Sequence, residues 1–452
     1  MPMSANVNHR FRICTYYFFV PNRILWDKWD EFISRNPNQP QPIHPFFVKQ
    51  DLAKSYSGAD PYGGLCHGSL ADYLNMATMD RNSAGYNYNW TYQDNRITDS
   101  MPFRAYYKIW WDYFRDEQTL SSPIDFEDIF TWAGNEASSP FFMGSTFALA
   151  CLKSKAWNKD PFTSSLVYTS SGNYQPTVSG TITIEDIRNA NSLTKFFERL
   201  NRSGQRPQEW LHATFGVKPK DYRLNMPEFL GASSSDIVFG QVLNSEASIP
   251  NGLDFQAQGY SVSTARSSSI AGQWKYKCRE FGWYIGLLCL VPDAVYYRGT
   301  PKYMEGKTVN VDYPFPDFAS LGDEAIKYKQ LKWLVPQTAQ DDSDNENVFA
   351  YAPRYWEYKF YPNELHGLFR DAAFKDYTAA RRMGSYTPNR QLQFVYIQGF
   401  PDGTVGDPQS CRDPDDLKNI FNINTGVPIA YANIFHQIRA LRPLPYSSVP
   451  RL

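Results

Sequence analysis

The stretch from Asp99 to Leu120, DSMPFRAYYKIWWDYFRDEQTL, constrains this chain more than any other. Asp99 or Ser100 suits a helix cap, Pro102 suits the first turn, and Phe103, Tyr106, Tyr107, Ile109, Trp110, Tyr113 and Phe114 recur at helical spacing. So many rings on one helix require a large core to cover them. Arg104, Lys108, Asp112, Arg115, Asp116 and Glu117 predict a charged opposite face, with Lys108 and Arg115 each about one turn from Asp112. The expectation is an amphipathic helix at the edge of that core.

The rest of the chain can supply such a core. Of 452 residues, 42% are hydrophobic, with 31 Tyr, 31 Phe and 12 Trp, and a surplus of aromatics also suits extensive protein contacts. Length admits either several average domains or one large all-β unit with long loops. Lys+Arg 45 against Asp+Glu 46 leaves a net charge of -1, which excludes a polycation that wraps nucleic acid by bulk charge. Any such contact has to be local. Cys14, Cys66, Cys151, Cys278, Cys289 and Cys411 form no CxxC pair and follow no signal peptide, so they read as reduced thiols of a cytoplasmic chain. The longest apolar run, around Tyr284 to Val291, is too short to span a bilayer, and no internal repeat stands out.

In order, Phe11 to Val20 (FRICTYYFFV) predicts a buried strand that stops at Pro21-Asn22. A helix with Leu25, Trp26, Trp29, Phe32 and Ile33 on its apolar face is expected over Ile24 to Ser34. Residues 37 to 100 are rich in Pro, Gly, Asn and Tyr and read as a long surface excursion, with one short helical pattern near Ser69 to Met76. Helices are predicted from Thr183, with Glu185 and Asp186 in the first turn, and from Pro207 to Phe215. Beyond Gly231 strands are expected at Asp236 to Leu243, Gly259 to Ala265, Trp274 to Cys278 and Gly282 to Val291.

Several of these segments carry a shared resemblance. Pro-Phe-Arg-Ala-Tyr with its aromatic run (Pro102 onward), Tyr17 to Arg23 before the Trp-rich helix, and the stretch from Thr183 to Gly231 are similar to major capsid proteins of the Microviridae, especially gokushovirus-like branches. That last stretch carries five sub-motifs in family order, among them Glu198-Arg199, Arg202-Ser203-Gly204 and Phe215-Gly216-Val217. Arg354 to Tyr358, Gly367 to Arg370 and the tail from Arg439 to Leu452 follow in the same order, so the resemblance covers nearly the whole chain.

The resemblance implies a mainly β chain: an antiparallel eight-stranded jelly roll of viral capsid type, one domain over 1–452, with helix-containing insertions at about 24–150 and 182–231. Family members have an N-terminal segment with the first barrel strand that this chain does not match, which leaves open whether that strand is present. Only Tyr168 to Gly180 stands where gokushoviruses insert a long loop, which implies a smoother shell. The implied function is a structural one: self-assembly through pentamers into a small (T=1) icosahedral shell around circular single-stranded DNA of a bacteriophage. The implied partners are other copies of the chain, the genome, a small basic DNA-binding protein, a pilot protein and a host-cell receptor. Synthesis in the bacterial cytoplasm, residence in the virion, no cofactor and no membrane insertion complete the expectation. Candidate DNA or inter-subunit contacts are Arg10, Arg12, Arg23, Arg199, Arg202, Arg206, Arg439 and Arg442, several with aromatic neighbours on which a base could stack.

Catalytic signals fail on inspection. Gly299 to Thr308 (GTPKYMEGKT) puts six residues between glycines where a P-loop needs four, and Pro301 removes a donor. Ser192-Leu193-Thr194-Lys195 fits SxxK but lies in an amphipathic helix without its SDN or KTG partners. Asp341 to Asn347 lacks the Gly and distal Glu of a calcium loop. His9, His44, His67, His212, His366 and His436 show no metal spacing. The competing expectation from another class is a carbohydrate-binding or carbohydrate-acting β-sandwich, which paired carboxylates in one cleft would favour.

Overall fold

The computed structural model describes residues 2–3, 9–34, 40–42, 44–48, 70–76, 97–115, 155, 160, 162, 166–167, 183–203, 206–243, 261–266, 274–296, 299–319, 322–331, 343, 345–370, 377–378, 380 and 433–442. In chain order the strands are Pro2–Met3 (β1), Phe11–Pro21 (β2), Phe46–Val48 (β3), Ile97–Asp99 (β4), Leu166–Val167 (β5), Glu228–Asp236 (β6), Val238–Leu243 (β7), Ser261–Arg266 (β8), Gly282–Pro292 (β9), Val295–Tyr296 (β10), Asp323–Lys327 (β11), Val348–Pro353 (β12) and Asn363–Glu364 (β13). The α-helices are Trp29–Ser34 (α1), Leu70–Tyr73 (α2), Met101–Ile109 (α3), Ile184–Ser203 (α4), Pro207–Phe215 (α5) and Tyr328–Leu331 (α6).

The central sheet is antiparallel, with β2 between β6 and β9. One face of β2 presents Tyr16, Phe18 and Val20 to α3, and the other presents Tyr17 and Phe19 to the segment 274–276, so the strand is buried on both sides over Tyr17–Pro21. Ring contacts fasten the helix to the sheet: Phe18 lies 4.8 Å from Tyr113 and 5.9 Å from Phe114, and Tyr16 lies 5.2 Å from Phe114. At Tyr17 the neighbouring strands carry Gly231 and Gly286, and both are needed for close approach. A Cβ on Gly231 would come within 2.1 Å of the Trp274 indole, and one on Gly286 within 3.0 Å of the Tyr17 ring.

Just ahead of α3, Asp99 accepts a hydrogen bond from the Met101 amide (2.8 Å), while Ser100 holds the N-cap position without a side-chain cap bond, and the helix continues as a π-helical turn over Trp110–Phe114. It is not the amphipathic edge helix expected. Arg104 is fully buried, donating to the Leu25 carbonyl at 3.0 Å near Asp27 and Asp99, and the Lys108–Asp112 pair (3.1 Å) is largely covered. Burial is the main cause that raises the Asp112 carboxyl above its usual range, with Lys108, Arg115 and Arg206 opposing it. Asp116 and Glu117 of the expected charged face lie outside the described residues, and Arg104, Lys108 and Asp112 instead form a second packing face inside the protein.

Three further expectations change. The Trp-rich segment after β2 forms a 3₁₀ turn at Asn22–Ile24 and then only α1, and Ile33 is exposed. Trp274 to Cys278 is not a strand: it crosses the outer face of the sheet as irregular chain, with Trp274 edge-on to Tyr17 at 4.8 Å. β6, with three serines in a row, is a strand that the sequence does not announce, because pairing with β2 supplies what weak propensity does not.

Among the described residues the strands form several sheets of two or three strands, β1-β8-β7, β3-β4, β11-β12-β5 and β10-β13 beside the central one, and no closed barrel. β6 passes almost directly into β7 at Ile237, whose amide bonds the Phe11 carbonyl (2.9 Å), so one run of chain switches from one sheet to another. A short strand, β1, does precede β2 and pairs with Ser263 and Thr264 of β8. A second core gathers Phe162, Tyr296, Ile326, Leu331, Phe349 and Trp356 under the β11-β12-β5 sheet, where the Tyr296 hydroxyl donates to Asp160.

Candidate functional site

The arginines singled out from sequence divide into two groups. Arg10 pairs with Asp236 at 2.8 Å and Asp293 at 3.8 Å, Arg12 with Asp293 at 2.7 Å, and Arg23 with Glu280 and the Asn225 side chain, both at 2.8 Å. These pairs follow from the antiparallel register, which sets Arg12 opposite Asp236 and ends β9 beside Asp293. The Arg10 hydrogen bond holds the Asp236 carboxyl below its ordinary range. Arg206 is also turned inward, donating to the Arg115 carbonyl at 3.4 Å and lying 3.8 Å from Glu209. These four are occupied within their own chain.

Arg199, Arg439 and Arg442 are exposed. Arg202 lies in α4 with its side chain outside the described residues. α4 itself is set by a reciprocal cap: the Asp186 amide donates to Thr183 Oγ1 (3.2 Å) and the Thr183 amide donates to Asp186 (2.9 Å). Ile184, Ile187, Leu193 and Phe196 on this helix are nevertheless exposed, while the side chains of Phe197 and Leu200 from the same stripe lie outside the described residues. Ser192 of the SxxK match donates its hydroxyl back to the Arg188 carbonyl at 2.8 Å, the behaviour of a helix serine rather than a nucleophile.

Residues 433–442 lie on the outer face of the central sheet, anchored where His436 Nε2 meets the Tyr17 hydroxyl at 3.2 Å with the two rings perpendicular. Around that anchor Phe435, Ile438 and Leu441 are 90%, 73% and 102% exposed, an apolar edge that a lone molecule has no use for. A third exposed apolar surface went unread in the sequence. Tyr303, Met304, Tyr313, Phe315 and Tyr361 stand out from loops that buried carboxylates hold in place. Glu357 accepts from the amides of Lys302 (3.1 Å) and Tyr303 (3.0 Å), while Glu324 accepts from Lys302 Nζ (2.6 Å) and the Tyr355 amide (3.0 Å). No periodicity marks these residues because Tyr303 and Met304 sit in the 3₁₀ turn Lys302–Met304, while Tyr313, Phe315 and Tyr361 lie in irregular chain near the short turns Asn310–Asp312 and Trp356–Tyr358. Each oxygen of these two buried carboxylates is engaged in holding loops. Glu346, from the acidic loop, is held by Lys327 and Lys329, each at 2.5 Å.

Among the described residues the geometry thus offers exposed apolar surfaces and exposed cations. The family model described as capsid protein (F protein) matches residues 2–166 and 123–452. This chain belongs to that capsid protein family. Among curated proteins it is similar to the capsid protein VP1 of Chlamydia phage 1, 23% identical over 553 residues that span 100% of this chain and 87% of the relative. It is also similar to the capsid protein VP1 of Bdellovibrio phage phiMH2K, 24% identical over 422 residues, 80% of this chain and 73% of the relative. Both are gokushoviruses of the Microviridae, as the sequence motifs implied. The capsid protein has a structural role, and its uncovered apolar surfaces are those of a subunit that assembles.

Proposed function

We propose that this capsid protein assembles through pentamers into a small icosahedral T=1 shell around circular single-stranded DNA, its strands and insertions forming one domain of jelly-roll descent. The carrying observation is the set of exposed apolar surfaces on α4, on residues 433–442 and on the tyrosine-bearing loops, in a member of a capsid family. The apolar edge at Phe435, Ile438 and Leu441 suits contact with a neighbouring copy. Exposed Arg199, Arg439 and Arg442 are the better candidates for DNA phosphates, since Arg10, Arg12, Arg23 and Arg206 already meet partners in their own chain. At a net charge of -1 the shell cannot balance a genome, so a small basic protein or polyamines supply most counter-charge. A pilot protein, a host receptor and synthesis in the bacterial cytoplasm complete the reading. The test is expression in bacteria followed by sedimentation and negative-stain imaging. Closed particles of uniform size that shield DNA from nuclease support it, and a monodisperse monomer at every concentration tried would refute it.

A further inference from the structure

Two half-buried free thiols face each other at the middle of the central sheet. Cys14 of β2 and Cys289 of β9 are direct register partners, so their side chains leave the sheet on the same face. Hydrogen bonds from Asn22 to Phe281 and from Asp293 to Arg10, both an even number of residues along, place the pair at a hydrogen-bonded site. Backbones at such a site stand about 5.5 Å apart, within the roughly 4.4–6.8 Å that a disulfide bridges. The Cβ atoms of a hydrogen-bonded pair lie toward the wide end of about 4.5–5.5 Å, so the strands must draw together by up to about 1 Å for the bond to close. Tyr16, on the same face, feels both thiols, and Lys155 lies close by, 5.9 Å from the Tyr16 ring.

We propose that Cys14 and Cys289 form a dithiol site that small-molecule disulfides of the glutathione type oxidise to an intrachain bond between β2 and β9. The Cys14 thiolate attacks one sulfur of the oxidised glutathione, whose S–S bond breaks to release one glutathione thiolate. The Cys289 thiolate then attacks Cys14 Sγ and displaces the second glutathione. Two protein thiols are oxidised, one small disulfide is reduced to two thiols, and the two protons lost by the cysteines go to the glutathione thiolates. Burial first, with Cys14 opposing nearby Lys155, lifts the Cys289 thiol to about 11, which makes the closing step the slow one. The bond would tie the central strand to its neighbour across a segment of more than half the chain. For a capsid protein made in a reducing cytoplasm and released from it, as proposed above, the link would close only after release.

The test treats the purified full chain with oxidised glutathione, native and in urea, then alkylates the remaining thiols and maps peptides by mass. The expected result is a peptide pair joined through Cys14 and Cys289 in the native protein, lost in urea, with a melting temperature above that of the reduced protein. Cys289→Ser is expected to hold one glutathione on Cys14 and form no link. Between pH 7 and 9 closure should quicken by up to about tenfold per unit, as the thiolate fraction of Cys289 rises. Native protein in which both cysteines remain open to alkylation after oxidation, or in which Cys14 pairs with any other cysteine, would overturn the proposal. Because it reads thiols on the unassembled chain, this result is independent of whether particles form.

Discussion

Phe18 joins the two elements around which the fold is built, so its removal measures how strongly they hold each other. The ring is 1% exposed and lies 4.8 Å from Tyr113, 5.9 Å from Phe114 and 5.4 Å from Phe229, partners that come from the aromatic helix and from β6. Phe18→Ala loses the transfer free energy of the ring and leaves a cavity that neither a helix nor a paired strand can close, about 3–5 kcal/mol. Three aromatic contacts, each about 0.5–1.5 kcal/mol when measured singly, place the expected loss in the upper half of that range. A domain with about 5–15 kcal/mol in all would lose a large part of its stability. Urea unfolding followed by tryptophan fluorescence would read the loss, with Phe18→Leu as a control expected to cost about 1–2 kcal/mol. If Phe18→Ala unfolds within about 1 kcal/mol of the parent, the strand and helix are not packed through this ring.

Gly231→Ala would push a Cβ into the Trp274 indole, so we expect a loss of about 1–3 kcal/mol and a shifted tryptophan emission as the ring moves off Tyr17. Arg439→Ala with Arg442→Ala should lower affinity for single-stranded DNA of any sequence and reduce the salt slope by about 1.4, while Arg10→Ala, already paired with Asp236, should leave the slope unchanged; titration of labelled oligonucleotides at several salt concentrations distinguishes the two. Glu346 is held below its ordinary 4.5 by hydrogen bonds from Lys327 and Lys329. A depressed carboxylate contributes stability that is present above the unfolded value near 4.5 and lost as pH falls through the lower folded one, so Glu346→Gln should flatten the melting curve against pH in that acid window alone.

The sequence by itself determined the elements whose signals are local. β2 was legible because β-branched and aromatic residues fill it and Pro21-Asn22 ends it, and α4 and α5 because Thr183 and Pro207 mark their starts and, in α4, apolar residues recur at helical spacing. Motif order also made the capsid family legible, since many short matches in sequence outweigh any one of them. What only the tertiary structure decided depends on partners far away in the chain. Arg104 looks like a surface residue until Leu25, Asp27 and Asp99 surround it, and the Ser-rich β6 becomes a strand only because β2 offers it a ladder of hydrogen bonds. The same holds for the arginines. Their sequence context is alike, yet Arg10, Arg12 and Arg23 are neutralised by Asp236, Asp293 and Glu280, which sit more than two hundred residues on, while Arg439 and Arg442 stay open. Charge pairing and ring stacking act over a few ångströms of space, and sequence spacing reports such distances only inside one helix or one strand.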